Sequence, residues 1–528
     1  MKKLALLLAL VLMASCSASA MALTISGPNE FPIVDEEITL TLWGSEIVNR
    51  DYDTCVMTNY LEEYTGINIE WEQFSSVESG ATMLNLLISG GEYPDIVMMG
   101  FSPQQVLMCV EAGLCIPLND LIEEHGVNYK AMLEEQPAYE SMLTAPDGNI
   151  YTFAYTDTGV HKDCEYKMWY YEPWLEALGM EAPTTPEEFK EYLIAIRDND
   201  VNGNGDPNDE IPLAGYYGGR KSDPICFLMN PFELYTDNYY YISDEGEIVF
   251  TAITDGWREG LAYIADLYAE GLIAEETYVQ DQTQFRAMLN KPADEMIVGV
   301  FPHWYQGELI DTDVMDWTIY EPLAPLAGEK QQAAARFGGN FGLNCMITSQ
   351  CENPEAAFKL LDYMLGYDGL ILGHYGVEGE SFEWVDEPSY YGDDRSIRRL
   401  MDEVEVVWNS GQFPRYDKAE IRYATTMDEE MITLDNTYVL VHGAEAYEPY
   451  YVNHHIPDIV WCTDTAVVQA VSDYSTLIGD YIKTMDTQFI MGQLDIHNDD
   501  EWQAYLDTLD SMGLQDYIAN LEIYYGLK

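Results

Sequence analysis

Residues 38–99 alternate between a hydrophobic period of two and one near 3.6, and no other feature restricts the fold as strongly. The run from Ile38 to Trp43 alternates apolar and β-branched residues and stops at Gly44, the pattern of a strand ending in a turn. Met57, Tyr60, Leu61 and Tyr64 then recur at i, i+3, i+4 and i+7, and Gly66 stands where a left-handed C-cap closes a helix. Residues 67–71 read as a second strand, 83–88 as a helix stopping at Gly90-Gly91, and 94–99 as a third strand. Strand, crossover helix and strand at these lengths join most readily as a parallel sheet with helices on both faces. Such sheets bind ligands beyond the carboxyl ends of their strands, so Trp43 to Glu46 and Gly100 to Ser102 are rim positions.

Further along, residues 150–155 read as a strand leaving the first lobe, and 168–174 as a strand running into a short helix. Pro183-Thr184-Thr185-Pro186-Glu187-Glu188 is a helix start, with a Thr cap, Pro in the first turn and acids at the positive dipole end. Residues 296–301 look like a return strand followed by Trp304, 340–348 like another, and Pro354 opens a helix carrying Phe358, Leu361 and Met364. Beyond about residue 368 the pattern is mostly helical, including 397–407 and 472–491. A chain of 528 residues exceeds one ordinary core. The expected division is an α/β pair of lobes, 24–152 with 300–367 and 153–299 with 368–528, after a leader and linker over 1–23.

That leader has Lys2 and Lys3, an apolar run over 4–13, and small residues up to Cys16, the order a secretory signal requires. The run is too short to span a bilayer, and no later stretch reaches the roughly 20 apolar residues needed. Met13-Ala14-Ser15-Cys16 resembles a bacterial lipobox with Cys16 as the acylated residue, while Ala18-Ser19-Ala20 offers a competing soluble-release cleavage. The membrane is thus met only through a lipid anchor on its outer face. With 24 basic against 92 acidic residues the net charge is −68, which leaves too few cations to lay along a nucleic acid or an anionic bilayer. Eight cysteines remain besides Cys16; Cys109 with Cys115 and Cys345 with Cys351 are near enough to pair, and buried free thiols are the alternative.

Several stretches together resemble extracellular solute-binding protein family 1: the strand-helix-strand opening, Gly90-Gly91-Glu-Tyr-Pro94-Asp95-Ile96, Asp147-Gly148-Asn-Ile-Tyr151, Trp174 to Gly179 leading into Pro183-Thr184-Thr185, and Asn353-Pro354-Glu-Ala-Ala. Tyr375-Gly-Val-Glu-Gly379 is similar to a further family segment, departing at Glu380-Ser381, where many members carry a bulky or aromatic pair. The resemblance implies a two-lobe, type II periplasmic-binding-protein-like fold with a hinge and an interlobe cleft. It also implies a monomeric receptor that hands a sugar to the permease subunits of an ABC importer.

The segment Asp198 to Glu210 places oxygen side chains on alternate residues, with glycines to allow the turn, and so can wrap one hard cation at about 2.3–2.6 Å, which is Ca²⁺ chemistry. One frame starts at Asp198. The preferred frame uses Asp200, Asn202, Asn204, Asp206, Asp209 and Glu210. Related binding proteins carry a similar structural loop ending in Asp-Glu-Ile-Pro, here Asp209 to Pro212.

A sugar is held by aromatic faces against its C–H patches and by planar polar groups on its hydroxyls. The 40 Tyr against 16 Phe supply wet aromatic surface. The candidate contacts are Trp43, Glu46, Tyr155, Tyr217, Trp304, Arg336, Asn340, Tyr375 and Glu378. Ligand-driven closure of the two lobes is the expected mechanism. The competing reading is a secreted glycoside hydrolase using paired carboxylates, which 92 acidic residues supply at every separation. HExxH, GxSxG, Walker and dinucleotide patterns are all missing, and His454-His455 lacks metal-ligand spacing on a helix, so no catalytic residue is assigned.

Overall fold

The computed structural model describes residues 23–46, 50–75, 79–156, 166–217, 221–310, 316–319, 321–326, 330–334, 341–401, 403–408, 413–426, 441, 443, 445–452 and 455–528. The leader with Cys16, Arg336, Asn340 and His454 lie outside them.

The opening alternation builds one side of a six-stranded sheet, with Ile67–Phe74 at its edge. Ile38–Ser45 pairs in parallel with both Ile67–Phe74 and Ile96–Phe101. Helix Val56–Thr65 connects the first two and ends at Gly66, whose φ of 76° and 3.2 Å approach of a built Cβ to the Val34 carbonyl both require glycine. Gly80–Gly90 leads to the third strand and closes on left-handed Gly91. The full strand order is Arg415–Tyr416, Phe153–Thr156, Phe341–Ile347, Ile96–Phe101, Ile38–Ser45, Ile67–Phe74. The three opening strands are mutually parallel, as the sequence pattern predicts, while Phe341–Ile347 runs antiparallel between Phe153–Thr156 and Ile96–Phe101, so the full sheet is mixed. Periodicity identifies a strand but carries no information on its direction.

The second sheet has the order Trp317–Ile319, Met168–Tyr171, Val298–Pro302, Ile211–Leu213. Helix Pro186–Arg197 packs beside it, started as expected by Thr185, whose hydroxyl accepts the Glu188 N–H. The long helix Thr465–Ile490 buries Ile478, Ile482 and Phe489 in the same lobe.

Two separate apolar cores define the lobes. Leu40, Ile96, Phe153, Leu343, Phe358 and Trp408 belong to the first. Met168, Trp174, Ile196, Trp257, Val298 and Leu521 belong to the second. Val300, Phe301, Trp317 and Leu323 lie in the second core, whereas Val406, Val407, Phe413 and Tyr416 lie in the first. The division expected from sequence, with 300–367 in the first lobe and 368 onward in the second, is displaced accordingly. The reason is that 296–301 reads as the same apolar strand whichever sheet it joins. Residues 397–407 also differ from the expected helix, being a strand Ser396–Arg399 and a short helix Glu403–Val406. That strand and Phe382–Val385 form a hairpin around a small third cluster with Tyr375 and Ile421.

All seven described cysteines are free, so neither near pair is bridged. Burial pushes the Cys109, Cys115 and Cys351 thiols up to about 12, which makes them small inert hydrophobes. Among the described residues no helix is long and apolar enough to cross a membrane.

Candidate functional site

In the first sheet the strands ending at Ser45, Phe74, Phe101, Thr156 and Tyr416 are mutually parallel, so their carboxyl ends share one edge, and antiparallel Phe341–Ile347 begins there. In the second sheet Leu213 and Pro302 end at the edge where Met168 begins. The chain leaves the first core at Thr156 and is in the second lobe at Tyr166, and it re-enters the first at Phe341. Both carboxyl edges therefore adjoin the crossings between the lobes, the location where open α/β sheets present ligand groups.

On the first edge, Glu46 is half-buried and its N–H donates to the Phe74 carbonyl at 2.9 Å. Tyr155 is half-buried beneath Arg415, whose guanidinium carbon stands 4.4 Å from the ring centroid while Nη2 donates to the Tyr155 hydroxyl. Arg415 is itself buried, with Nε 3.3 Å from Asp417 Oδ2, and Asp417 also meets His374 Nε2 at 2.6 Å. Burial alone pushes the Asp417 carboxyl up, but Arg415, His374 and Arg422 outweigh it and hold the group below the usual carboxylate range. The result is a carboxylate anchor that fixes a planar cation on an aromatic face.

On the second edge, Trp304 is half-buried and held at two points. Its carbonyl accepts from the buried Lys167 Nζ at 3.2 Å, and its indole Nε1–H donates to Glu308 Oε2. The preceding residue, His303, is fully buried, with its Nδ1 2.6 Å from Ser222 Oγ and its carbonyl accepting Trp169 Nε1–H at 2.8 Å. A ring fixed in this way offers a stacking face with little rotamer entropy left to lose. Tyr217, 38% exposed, follows Ile211–Leu213 on the same edge and donates its N–H to the Thr277 carbonyl.

The edges thus collect Glu46, Tyr155, Tyr217 and Trp304 from the predicted contacts. Two others are core residues. Trp43 is 7% exposed and packs on Phe74 at 4.5 Å, because it lies two residues before its strand ends. Tyr375 is 1% exposed, donates its hydroxyl to the Ile421 carbonyl at 2.7 Å and lies under Arg399, inside the third cluster. Glu378 is exposed beside that cluster in a bridge to Phe382. Sequence reasoning missed Arg415, Asp417 and Lys167. The usable signal was the scarcity of cations: a basic residue with apolar neighbours is informative in a chain with 24 of them.

The acidic loop lies between Pro186–Arg197 and Ile211–Leu213, at the amino end of that strand and so away from the edge carrying Tyr217. Gly203 and Gly205 have φ of 72° and 93°. Asp200 Oδ2 accepts the Gly205 N–H, Asn202 Oδ1 the Asn204 N–H and Asn204 Oδ1 the Asp206 N–H, at 2.8–3.0 Å, while Asn204 Nδ2 donates to Asp209 Oδ2 at 2.7 Å. Asp198 instead caps the helix and is gripped by both Nε and Nη2 of Arg197, which takes it out of the loop and favours the frame starting at Asp200. Glu210 is 8% exposed; its Oε1 accepts the Val201 N–H, and its Oε2 is buried with no hydrogen-bond partner. Burial pushes this carboxyl above the usual range. Among the described residues no three His, Cys, Asp or Glu side chains converge as a metal cluster, yet the donor set is all oxygen and the orphaned Oε2 is an acceptor suited to a hard cation.

The bacterial extracellular solute-binding protein family matches residues 47–370, more than half of the chain. The chain is 27% identical over 523 residues to the fructooligosaccharide ABC transporter substrate-binding protein FusA of Streptococcus pneumoniae serotype 4 (strain ATCC BAA-334 / TIGR4), across 94% of this chain and 91% of FusA. FusA solved in complex with kestose matches with a TM-score of 0.75 at 26% identity over 93% of this chain and 99% of that one, and an EF-hand mutant of FusA with fructo-nystose does so at 25%. The lipoprotein LipO of Bacillus subtilis (strain 168) is 24% identical over 395 residues, 73% of this chain and 74% of LipO. An HMO binding, ABC-transporter-associated solute-binding protein from Bifidobacterium longum infantis ATCC 15697 shares the fold, with a TM-score of 0.75 at 19% identity over 93% of this chain and 99% of that one.

Proposed function

The chain belongs to the bacterial extracellular solute-binding protein family and has its type II periplasmic-binding-protein-like fold. On that premise we propose that it captures an uncharged oligosaccharide between the two carboxyl edges and delivers it, chemically unaltered, to the permease of an ABC importer. The observation that carries the reading is the pairing of unlike platforms on the two edges, Arg415 over Tyr155 on one and the doubly held Trp304 on the other. Stacking faces with adjacent charge-assisted donors and acceptors are what a sugar needs. Glu46 and Tyr217 add polar and aromatic contact, and Arg336 and Asn340, outside the described residues, are retained as proposed contacts. Likeness to FusA makes kestose and nystose the first ligands to try.

The acidic loop holds a structural Ca²⁺ through Asp200, Asn202, Asn204, Asp206, Asp209 and Glu210; the FusA EF-hand mutant supports this reading. The ion would fix the loop geometry and neutralise the carboxylates. The protein works as a monomer, exported by its signal and tethered outside the membrane through acylated Cys16, a reading supported by its likeness to LipO.

Titration calorimetry with kestose and nystose, followed by chromatography of the recovered sugar, tests the proposal. The expected result is saturable binding near micromolar Kd, about −8 kcal/mol, with the sugar intact. Progressive cleavage of the sugar would replace the receptor by a hydrolase.

A further inference from the structure

Behind Tyr217 the second lobe encloses a cavity of about 250 Å³ that involves none of the other edge residues described above. Tyr217, residues 223–239, Tyr278 and the last two turns of Thr465–Ile490 bring Asp223 and Asp486 onto one space with Tyr239 and Lys483. Asp486 is 5% exposed, and its Oδ1 accepts Trp257 Nε1–H at 3.3 Å. Asp223 Oδ1 accepts the Ile225 N–H at 3.2 Å. Each carboxylate keeps acceptor capacity toward the cavity that both line. Tyr278, nine-tenths buried, lines the same cavity, and its hydroxyl has no hydrogen-bond partner.

We infer that this cavity is a subsite for one uncharged, polyhydroxylated ring, a terminal residue of the captured oligosaccharide, gripped by Asp223, Asp486 and Tyr278 and flanked by the Tyr217 and Tyr239 rings. The inference rests on the oligosaccharide reading above. The size fits one ring rather than a chain, since sites for drug-sized ligands occupy about 300–1,000 Å³. Carboxylates take hydroxyl protons as acceptors, the Tyr278 hydroxyl finds a sugar oxygen, and tyrosine faces cover C–H patches. Asp223 and Asp237 together disfavour a uronic acid or a phosphosugar. Burial raises both carboxyls, Asp223 to about 6 and Asp486 well above the usual range.

Crystals of the mature chain soaked in kestose, fructose, glucose or galactose, combined with kestose calorimetry on D486N, Y278F and E46Q, test the subsite. Asn retains the acceptor for Trp257, so D486N folds, and its unliganded melting temperature checks this. The expected result is sugar density against Asp223 and Asp486, with kestose affinity lowered about tenfold to a hundredfold in D486N and less in Y278F. A monosaccharide seen in the cavity without kestose binding supports the subsite and removes kestose as the ligand. Density confined to the sheet edges, with affinity lowered in E46Q and unchanged in D486N, overturns the subsite and leaves the function standing. Sugar found nowhere, with no heat from kestose, overturns both.

Discussion

Arg415 and Trp43 show what single residues reveal and conceal. Trp43 stands at a strand end and invites a rim assignment, but its side chain points into the first core against Phe74. Arg415 belongs to no motif, and only the parallel pairing of its short strand with Tyr155 brings the two together. Which face a side chain occupies follows from register, and register near a strand end is poorly fixed by a run of six residues. Trp304, also chosen from its place after a strand, does lie on the edge, held by Lys167 and Glu308. Asp223 provides a test at this scale. Tyr217, Tyr239, Tyr278 and Asp486 surround it, with Asp237 and Lys483 on the same cavity. Burial raises its folded pKa to about 6, so the fold favours the protonated form. The native state then binds more protons than the unfolded chain between about pH 4 and 6; stability falls through that window as pH rises and is flat above it. D223N should stabilise the protein by about 2 kcal/mol at pH 7, discounting for the cavity's solvent, and by almost nothing at pH 4. Urea unfolding at the two pH values reads this directly, and an equal gain at both would contradict it.

Among the elements, those bounded by local chemistry were legible. Gly66 and Gly91 end their helices, and Thr185-Pro186 starts another, because caps act over a few residues. Partners across the chain were not legible: Val298–Pro302 pairs with Met168–Tyr171 and Ile211–Leu213, and nothing within its own residues says so. The turns of the acidic loop were legible too, since its Asp and Asn oxygens accept backbone N–H groups within the loop and its glycines take positive φ. The proposed calcium role predicts a melting temperature that falls on chelation and recovers when Ca²⁺ is added back. At calcium a hundredfold above Kd the ion would add about 2.7 kcal/mol. E210Q, which removes the buried charge, should lose most of that response in a thermal-shift assay. An undiminished calcium shift in E210Q would remove Glu210 from the ligand set.

For the whole molecule, chain length announced two lobes and the alternation announced their α/β class, while the exchange points between lobes came only from the cores. The strongly negative surface, with 92 acidic residues, disfavours anionic solutes and leaves recognition to neutral groups. A solute shifts the lobes only by contacting both edges better when they are close. Small-angle scattering of the calcium-loaded protein, with and without saturating kestose or the sugar that calorimetry selects, measures that closure. Capture by lobe closure predicts a smaller radius of gyration in the sugar complex, and saturation by calorimetry with an unchanged radius would overturn it.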